Sequence, residues 1–407
     1  METHLKNALR GVLTGLLSAP FITLFSNLVT WANGFNSKHR YLILLLPVGS
    51  LIIILTYHLL GYQSKKITSM AITQIHYAED GNTSMKGEGR ISVKMAATSF
   101  FNSVLSHFLG ASVGKEGVGV QIGFSAASFL DRAEERLLGS SRRDYYLMGG
   151  AASAFSALFG APVAGTLFGL HIASPRLARF DALLPAACAS FSSYFFSQLI
   201  GIHVLHTPEI KPLDLTVENA FIVLLFAVII GIVCSLSCKA LEFFKEKLND
   251  IYPGNEVVKA VIPAFILTLF SVLIYLSKGH FLYNGLSIDL ISYSMFRAAG
   301  FEDFLIKLVM VLLSLAAGFQ GGEVVPLLVL GATFTSSLAS VLNLDTAAFS
   351  ILGAIGFLAA GTKLPLVTFA LGLELFGYSE PSLLFLMTSV ALISSGKTGI
   401  YSHQRIY

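Results

Sequence analysis

Charge is what this sequence has least of. Its 407 residues include 27 Lys and Arg and 24 Asp and Glu, so 13% are charged, against about 25% in an ordinary soluble domain. So few charges cannot cover a soluble protein of this size. With 54% hydrophobic residues and a mean hydropathy of +0.71, much of the surface must face lipid. Cysteine is almost as scarce: three residues exclude a disulfide scaffold. Cys188 stands alone, and Cys234 and Cys238 lie four apart on one face of an apolar helix without further Cys or His to complete a metal site. They read as small buried hydrophobes, and no metal or cofactor is implied. A net charge of +3 gives no reason to invoke nucleic acid. Met1 to Arg10 leads into an apolar run without a cleavage site, so no cleavable signal is expected.

The long apolar runs are of two kinds. Residues 41–64 and 220–238 reach the roughly 20 residues that a spanning helix needs. Others (95–109, 118–130, 149–173, 308–330, 349–361 and 364–376) are short or interrupted by Gly and Pro. Broken helices survive in a membrane only where protein or a water-filled path satisfies the backbone. Polar loops are expected at 79–94, at 131–145 with Arg132, Arg136, Arg142 and Arg143, and at 239–250. The basic loops are candidates for the cytoplasmic face without fixing the orientation. No soluble domain is expected at either end.

Two halves of the chain resemble each other. The run from Gly150 through Pro162 matches the run from Gly353 through Pro365 at an offset of 203 residues. Gly114-Lys-Glu-Gly-Val-Gly-Val-Gln-Ile-Gly123 matches Gly322-Glu-Val-Val-Pro-Leu-Leu-Val-Leu-Gly331 at an offset of 208. Repeats spanning about 10–205 and 215–407, with interrupted helices at matching places, point to a transporter whose site lies at the repeat interface.

Glu116 is the most informative residue. It follows a glycine-rich break and opens an apolar helix, where an unpaired carboxylate is costly. Desolvation favours its neutral form, and the N–H groups of a helix start favour its charged form. Those same donors can hold an external anion once the glutamate is neutral, so one carboxylate can alternate between filling an anion site and carrying a proton away. The alternative is a structural pair with Lys115. A phosphate-binding P-loop is excluded, because Gly110 and Gly114 enclose three residues rather than four and Lys115 is followed by Glu116.

Gly114-Lys-Glu-Gly117 followed by Val-Gln-Ile-Gly123 resembles the gating motif of the CLC family of chloride channels and transporters. The segment from Gly160 to Phe168 resembles its next signature, Gly322-Glu-Val-Val-Pro326 its G-x-F-x-P motif, and Tyr401 its pore tyrosine. The resemblance implies an all-α polytopic membrane protein with two inverted-topology repeats of tilted and broken helices. It also implies a homodimer with an anion path in each subunit. No nucleophile beside a base and no His-Glu metal cluster is evident, so no enzymatic activity is expected.

Departures narrow the resemblance. Met70 takes the place of the serine that touches chloride, Thr73 and Val118 replace prolines, and Glu323-Val324 occupy the variable and phenylalanine positions. These features are similar to the bacterial fluoride/proton antiporters, which expel cytoplasmic fluoride. That implies Glu116 as the gate and proton carrier, with Met70, Glu323, Val324, Tyr401, Gly114, Gly117 and Gly322 along the anion path. Fluoride is small and strongly hydrated, so its site must supply strong donors. The inner proton-transfer glutamate of chloride/proton exchangers is missing: Ile172 stands there, after His171. His171 and its repeat equivalent Glu374 are candidates for a proton path or for structural hydrogen bonds. The alternative function is a CLC-type chloride channel or chloride/proton exchanger. The expected location is the inner or plasma membrane, multi-pass.

Overall fold

The computed structural model describes residues 2–61, 66–79, 91–175, 178–204, 210–401 and 404. Among them the backbone is helices and loops joined by one two-residue bridge. The helices are α1 (Glu2–Lys38), α2 (Leu46–Leu60), α3 (Ile67–Glu79), α4 (Val93–Leu109), α5 (Glu116–Leu138), α6 (Arg143–Phe159), α7 (Pro162–His171) and α8 (Leu183–Leu199). They continue as α9 (Val217–Ile251), α10 (Glu256–Lys278), α11 (Asp289–Arg297), α12 (Phe301–Ala316), α13 (Val324–Val341), α14 (Thr346–Thr362), α15 (Pro365–Phe376) and α16 (Pro381–Ser394).

Among the described residues, five helical stretches are long and apolar enough to cross a bilayer: α1, 40–60, α9, α10 and α13. Their outward faces carry exposed large apolar side chains, such as Phe21, Leu24 and Trp31 on α1 and Phe265, Leu269 and Leu276 on α10. That apolar surface suits lipid rather than water. By contrast α6 is buried from Asp144 to Phe159. At 10 and 12 residues, α7 and α15 span only about 15–18 Å of a hydrocarbon core about 30 Å thick. These are the interrupted helices expected from the Gly and Pro pattern. Pro162 and Pro365 each sit at a helix start, where the missing N–H costs nothing.

Two expected loops are helical. The stretch 131–145 is mostly the end of α5, which carries Arg132 and Arg136 as far as Leu138, and α6 resumes at Arg143. The stretch 239–250 continues α9, whose 35 residues reach about 52 Å and therefore project beyond the hydrocarbon. Charge there marks where a helix leaves the lipid, not where it ends.

The helix succession α4–α8 recurs as α12–α16, and corresponding pairs pack alike: α5 on α6 and α13 on α14, α6 on α8 and α14 on α16. Both α5–α6 and α13–α14 cross at glycine. A methyl on Gly123 would overlap the Gly150 carbonyl oxygen, and one on Gly331 would overlap that of Gly353. These glycines are equivalent under the two sequence offsets, and small residues let membrane helices approach to backbone contact.

Candidate functional site

The two glycine-rich breaks meet face to face. Gly114 N donates to Gly322 O at 2.8 Å, and Gly322 N donates to Gly114 O at 2.6 Å. This antiparallel bridge brings together the starts of α5 and α13. Neither start has a side-chain cap: Lys115 and Glu323 occupy the capping positions without bonding the first turn. First-turn N–H groups of both helices are thus left to a carboxylate or an anion between them.

Glu116 fills that place. Its side chain folds back over the bridge, so that a methyl on Gly114 would come within 2.5 Å of Oε2 and one on Gly322 within 3.3 Å. The residue is 2% exposed, and Oε2 has no hydrogen-bond partner among the described residues. Lys115 does not pair with it. The lysine Nζ bonds Ser26 Oγ at 2.7 Å and His203 O at 3.4 Å. The buried, unengaged oxygen is the geometry expected of a side chain that can be displaced.

The neighbours of Glu116 in the chain face different cavities. Lys115 borders one of about 230 Å³, walled also by Asn33, Asn36, Arg40 and Asn284. Gly117 borders another of about 320 Å³, with Gly322, Glu323, Val324 and Tyr401. A third, of about 480 Å³, shares Glu323 and Tyr401 with the second. Glu116 therefore stands between two openings.

Of the residues singled out in the sequence, Gly114, Glu116, Gly117, Gly322, Glu323, Val324 and Tyr401 converge here. Glu323 Oε1 lies 3.8 Å from Lys245 Nζ. The Tyr401 ring lies 6.5 Å from that of Phe168. Met70 is half-buried against the hydrophobic core, and α3 contributes Thr68 and Ser69 to the cavity wall in its stead. His171 and Glu374 lie apart. His171 Nδ1 is 2.8 Å from Leu167 O, one turn back. The Glu374 carboxylate accepts from Val163 N at 2.9 Å and Ala164 N at 2.8 Å, capping α7 from another helix. Cys234 and Cys238 are buried, and the described residues contain no cluster able to hold a metal.

Several polar residues of the site carry no motif. Gln121 and Gln320 line the cavity that Gly117 borders. Lys307, fully buried in α12, donates to Ser112 Oγ and Ser287 Oγ, both at 2.7 Å, and to Tyr283 O at 3.3 Å. It thereby ties α12 to the strap that enters α5. The only signal these residues leave in the sequence is a polar side chain inside an apolar run, which in a membrane protein is costly unless it is partnered or used.

The comparisons with known proteins agree with the helical fold. The voltage gated chloride channel family model matches residues 78–397, a stretch that omits Met70 and Tyr401. A chloride/fluoride channel protein of Pseudomonas syringae pv. tomato is 31% identical across 97% of this chain and 84% of its own length. The crystal structure of a CLC-type fluoride/proton antiporter superposes with a TM-score of 0.88 at 27% identity, covering 98% of this chain and 97% of the other. A slow cyanobacterial Cl⁻/H⁺ antiporter, at 16% identity, shares the fold with a TM-score of 0.73 over 97% and 94%. With its all-helical fold, its paired helix starts and these relatives, the chain belongs to the voltage gated chloride channel (CLC) family of membrane anion transporters and channels.

Proposed function

We propose that this protein exchanges fluoride for protons and so expels fluoride from the cytoplasm. The observation that carries the reading is Glu116: a buried carboxylate with a free oxygen, set between two uncapped helix starts and between two cavities. Deprotonated, it occupies the place an anion would take. Protonated, it gives up the helix-end donors and leaves carrying the proton. Glu323 and the Tyr401 phenol add protonatable or donating groups to the adjoining cavity. Val324 and Met70 replace the residues of the chloride-selective pattern, and the likeness to a CLC-type fluoride/proton antiporter supports fluoride as the cargo. The protein works as a homodimer in the inner or plasma membrane, each subunit built from two inverted halves, about 10–205 and 215–407.

The test is anion efflux from proteoliposomes with simultaneous recording of proton movement. Fluoride efflux that drives proton uptake, with chloride carried poorly, is the expected result. Glu116→Gln, which mimics the neutral gate, abolishes coupled exchange. Chloride flux equal to or above fluoride flux would instead establish a chloride channel or chloride/proton exchanger, a reading that the likeness to a chloride/fluoride channel protein keeps in play.

A further inference from the structure

We propose that Gln121 donates a hydrogen bond to the transported anion in the cavity beside Glu116, and that Gln320 and Tyr57 aim it. The proposal rests on the reading of the chain as an anion exchanger with fluoride as cargo, and adds a binding residue to it.

Gln121 lies on α5, five residues beyond Glu116, and is 7% exposed. The surface it does expose faces the cavity shared with Gly117, Gly322 and Glu323. Its Oε1 is engaged, accepting from Gln320 Nε2 at 3.4 Å. Its own Nε2 has no partner among the described residues. Gln320 is held in turn: its Oε1 accepts from the Tyr57 hydroxyl, and its backbone N–H donates to Ser106 Oγ at 3.0 Å. Tyr57 is 1% exposed, so this end of the chain of bonds is anchored in the core.

The polarity of the chain of bonds runs one way. Tyr57 donates to Gln320, Gln320 donates to Gln121, and the chain of bonds ends on the Gln121 amide N–H₂ at the cavity wall. The side chain is largely buried, but its amide N–H₂ lies at the cavity wall, open to an acceptor there, and an anion in the cavity would take the place of water on it. An amide is a neutral donor, so it replaces part of the hydration of a small, hard anion without the fixed positive charge that would slow release. This suits fluoride, the strongest acceptor among the halides. Gln121 is the contacting residue. Gln320 and Tyr57 are positioning residues, because without the Tyr57 bond the Gln320 amide can turn over and reverse the dipole that orients Gln121.

The experiment uses the full chain. Initial fluoride efflux from proteoliposomes is measured against fluoride concentration for Gln121→Leu and Tyr57→Phe, and sodium fluoride is titrated calorimetrically into the detergent-purified protein. Gln121→Leu is expected to weaken fluoride binding and raise KM about tenfold, the cost of one neutral hydrogen bond. Tyr57→Phe should give a smaller rise in KM with an unchanged maximal rate. Gln121→Met, unbranched and also without a donor, repeats the comparison should the leucine variant fail to fold. An unchanged KM and unchanged calorimetric affinity in a folded Gln121 variant would overturn the proposal. If the wild-type protein carries chloride in preference to fluoride, the fluoride reading fails by itself. The same comparison with chloride then decides the role of Gln121.

Discussion

Gly114 and Gly322, 208 residues apart in the chain, exchange both of their backbone hydrogen bonds. The antiparallel pair brings the starts of α5 and α13 together. The Glu116 side chain folds back over this bridge. Repetition in the sequence thus becomes a site in space, in which each glycine-rich break leads into a helix start without a side-chain cap.

The close approach at this bridge leaves no room for a side chain. A methyl on Gly322 would lie 2.5 Å from Gly117 N and 3.1 Å from Glu116 N, both backbone atoms. Gly322→Ala should therefore cost about 1–3 kcal/mol of overpacking strain and abolish exchange. At Gly119 the nearest atoms to a methyl belong to the Leu158 side chain, with Cδ1 at 2.4 Å, rather than to backbone, so Gly119→Ala should retain more transport than Gly322→Ala. Thermal unfolding and efflux of the two variants check the contrast; equal loss in both would sink the backbone explanation.

Glu323 caps α13 in position but not by bonding, and its partner Lys245 is 46% exposed. Exposed ion pairs contribute about 0–1 kcal/mol, so Lys245→Met should change exchange less than about threefold. Glu323→Gln removes a protonatable group from the cavity and should slow coupled fluoride exchange by about tenfold or more. If both variants behave alike in proton-uptake recordings, Glu323 acts only through its ion pair.

Glu374 bonds two N–H groups at the start of α7. Loss of a helix cap costs about 0.5–2 kcal/mol, so Glu374→Ala should lower the unfolding temperature and leave the ratio of protons to fluoride unchanged. A protein of normal stability that no longer moves protons would make Glu374 part of the proton route instead.

Acid should weaken one polar cluster outside the membrane-spanning helices. The Arg179 guanidinium, 2.6 Å from Asp181 Oδ2, holds that carboxyl below its ordinary range. A carboxyl whose pKa is lower in the folded state stabilises the fold above its unfolded value, near about 3.9. The stabilisation is lost as the pH falls through the lower folded value. Unfolding temperature should thus be indifferent to Asp181 between pH 7 and pH 5. Below about pH 4, wild type should lose slightly more stability than Asp181→Asn. A difference confined to neutral pH would contradict the assignment.

Much of this was legible in the residues themselves. Scarcity of charge placed the chain in lipid. The two offsets paired Gly114 with Gly322 and Gly123 and Gly150 with Gly331 and Gly353, while Gly-Ala-Pro162 and Lys-Leu-Pro365 marked the starts of two short helices. These signals are local or periodic, and backbone sterics and glycine's small size act wherever they occur. Folding was needed where a residue's meaning depends on a distant partner. Lys115, next to Glu116 in the chain, bonds Ser26 instead, and Thr68 and Ser69 rather than Met70 meet the cavity. Glu374 finds its partners 210 and 211 residues away. Gln121 is oriented by Gln320, 199 residues along, and Gln320 by Tyr57, 263 residues before it. Hydrogen bonds across such separations depend on how helices pack, and periodicity along one helix carries no record of what lies opposite its polar face.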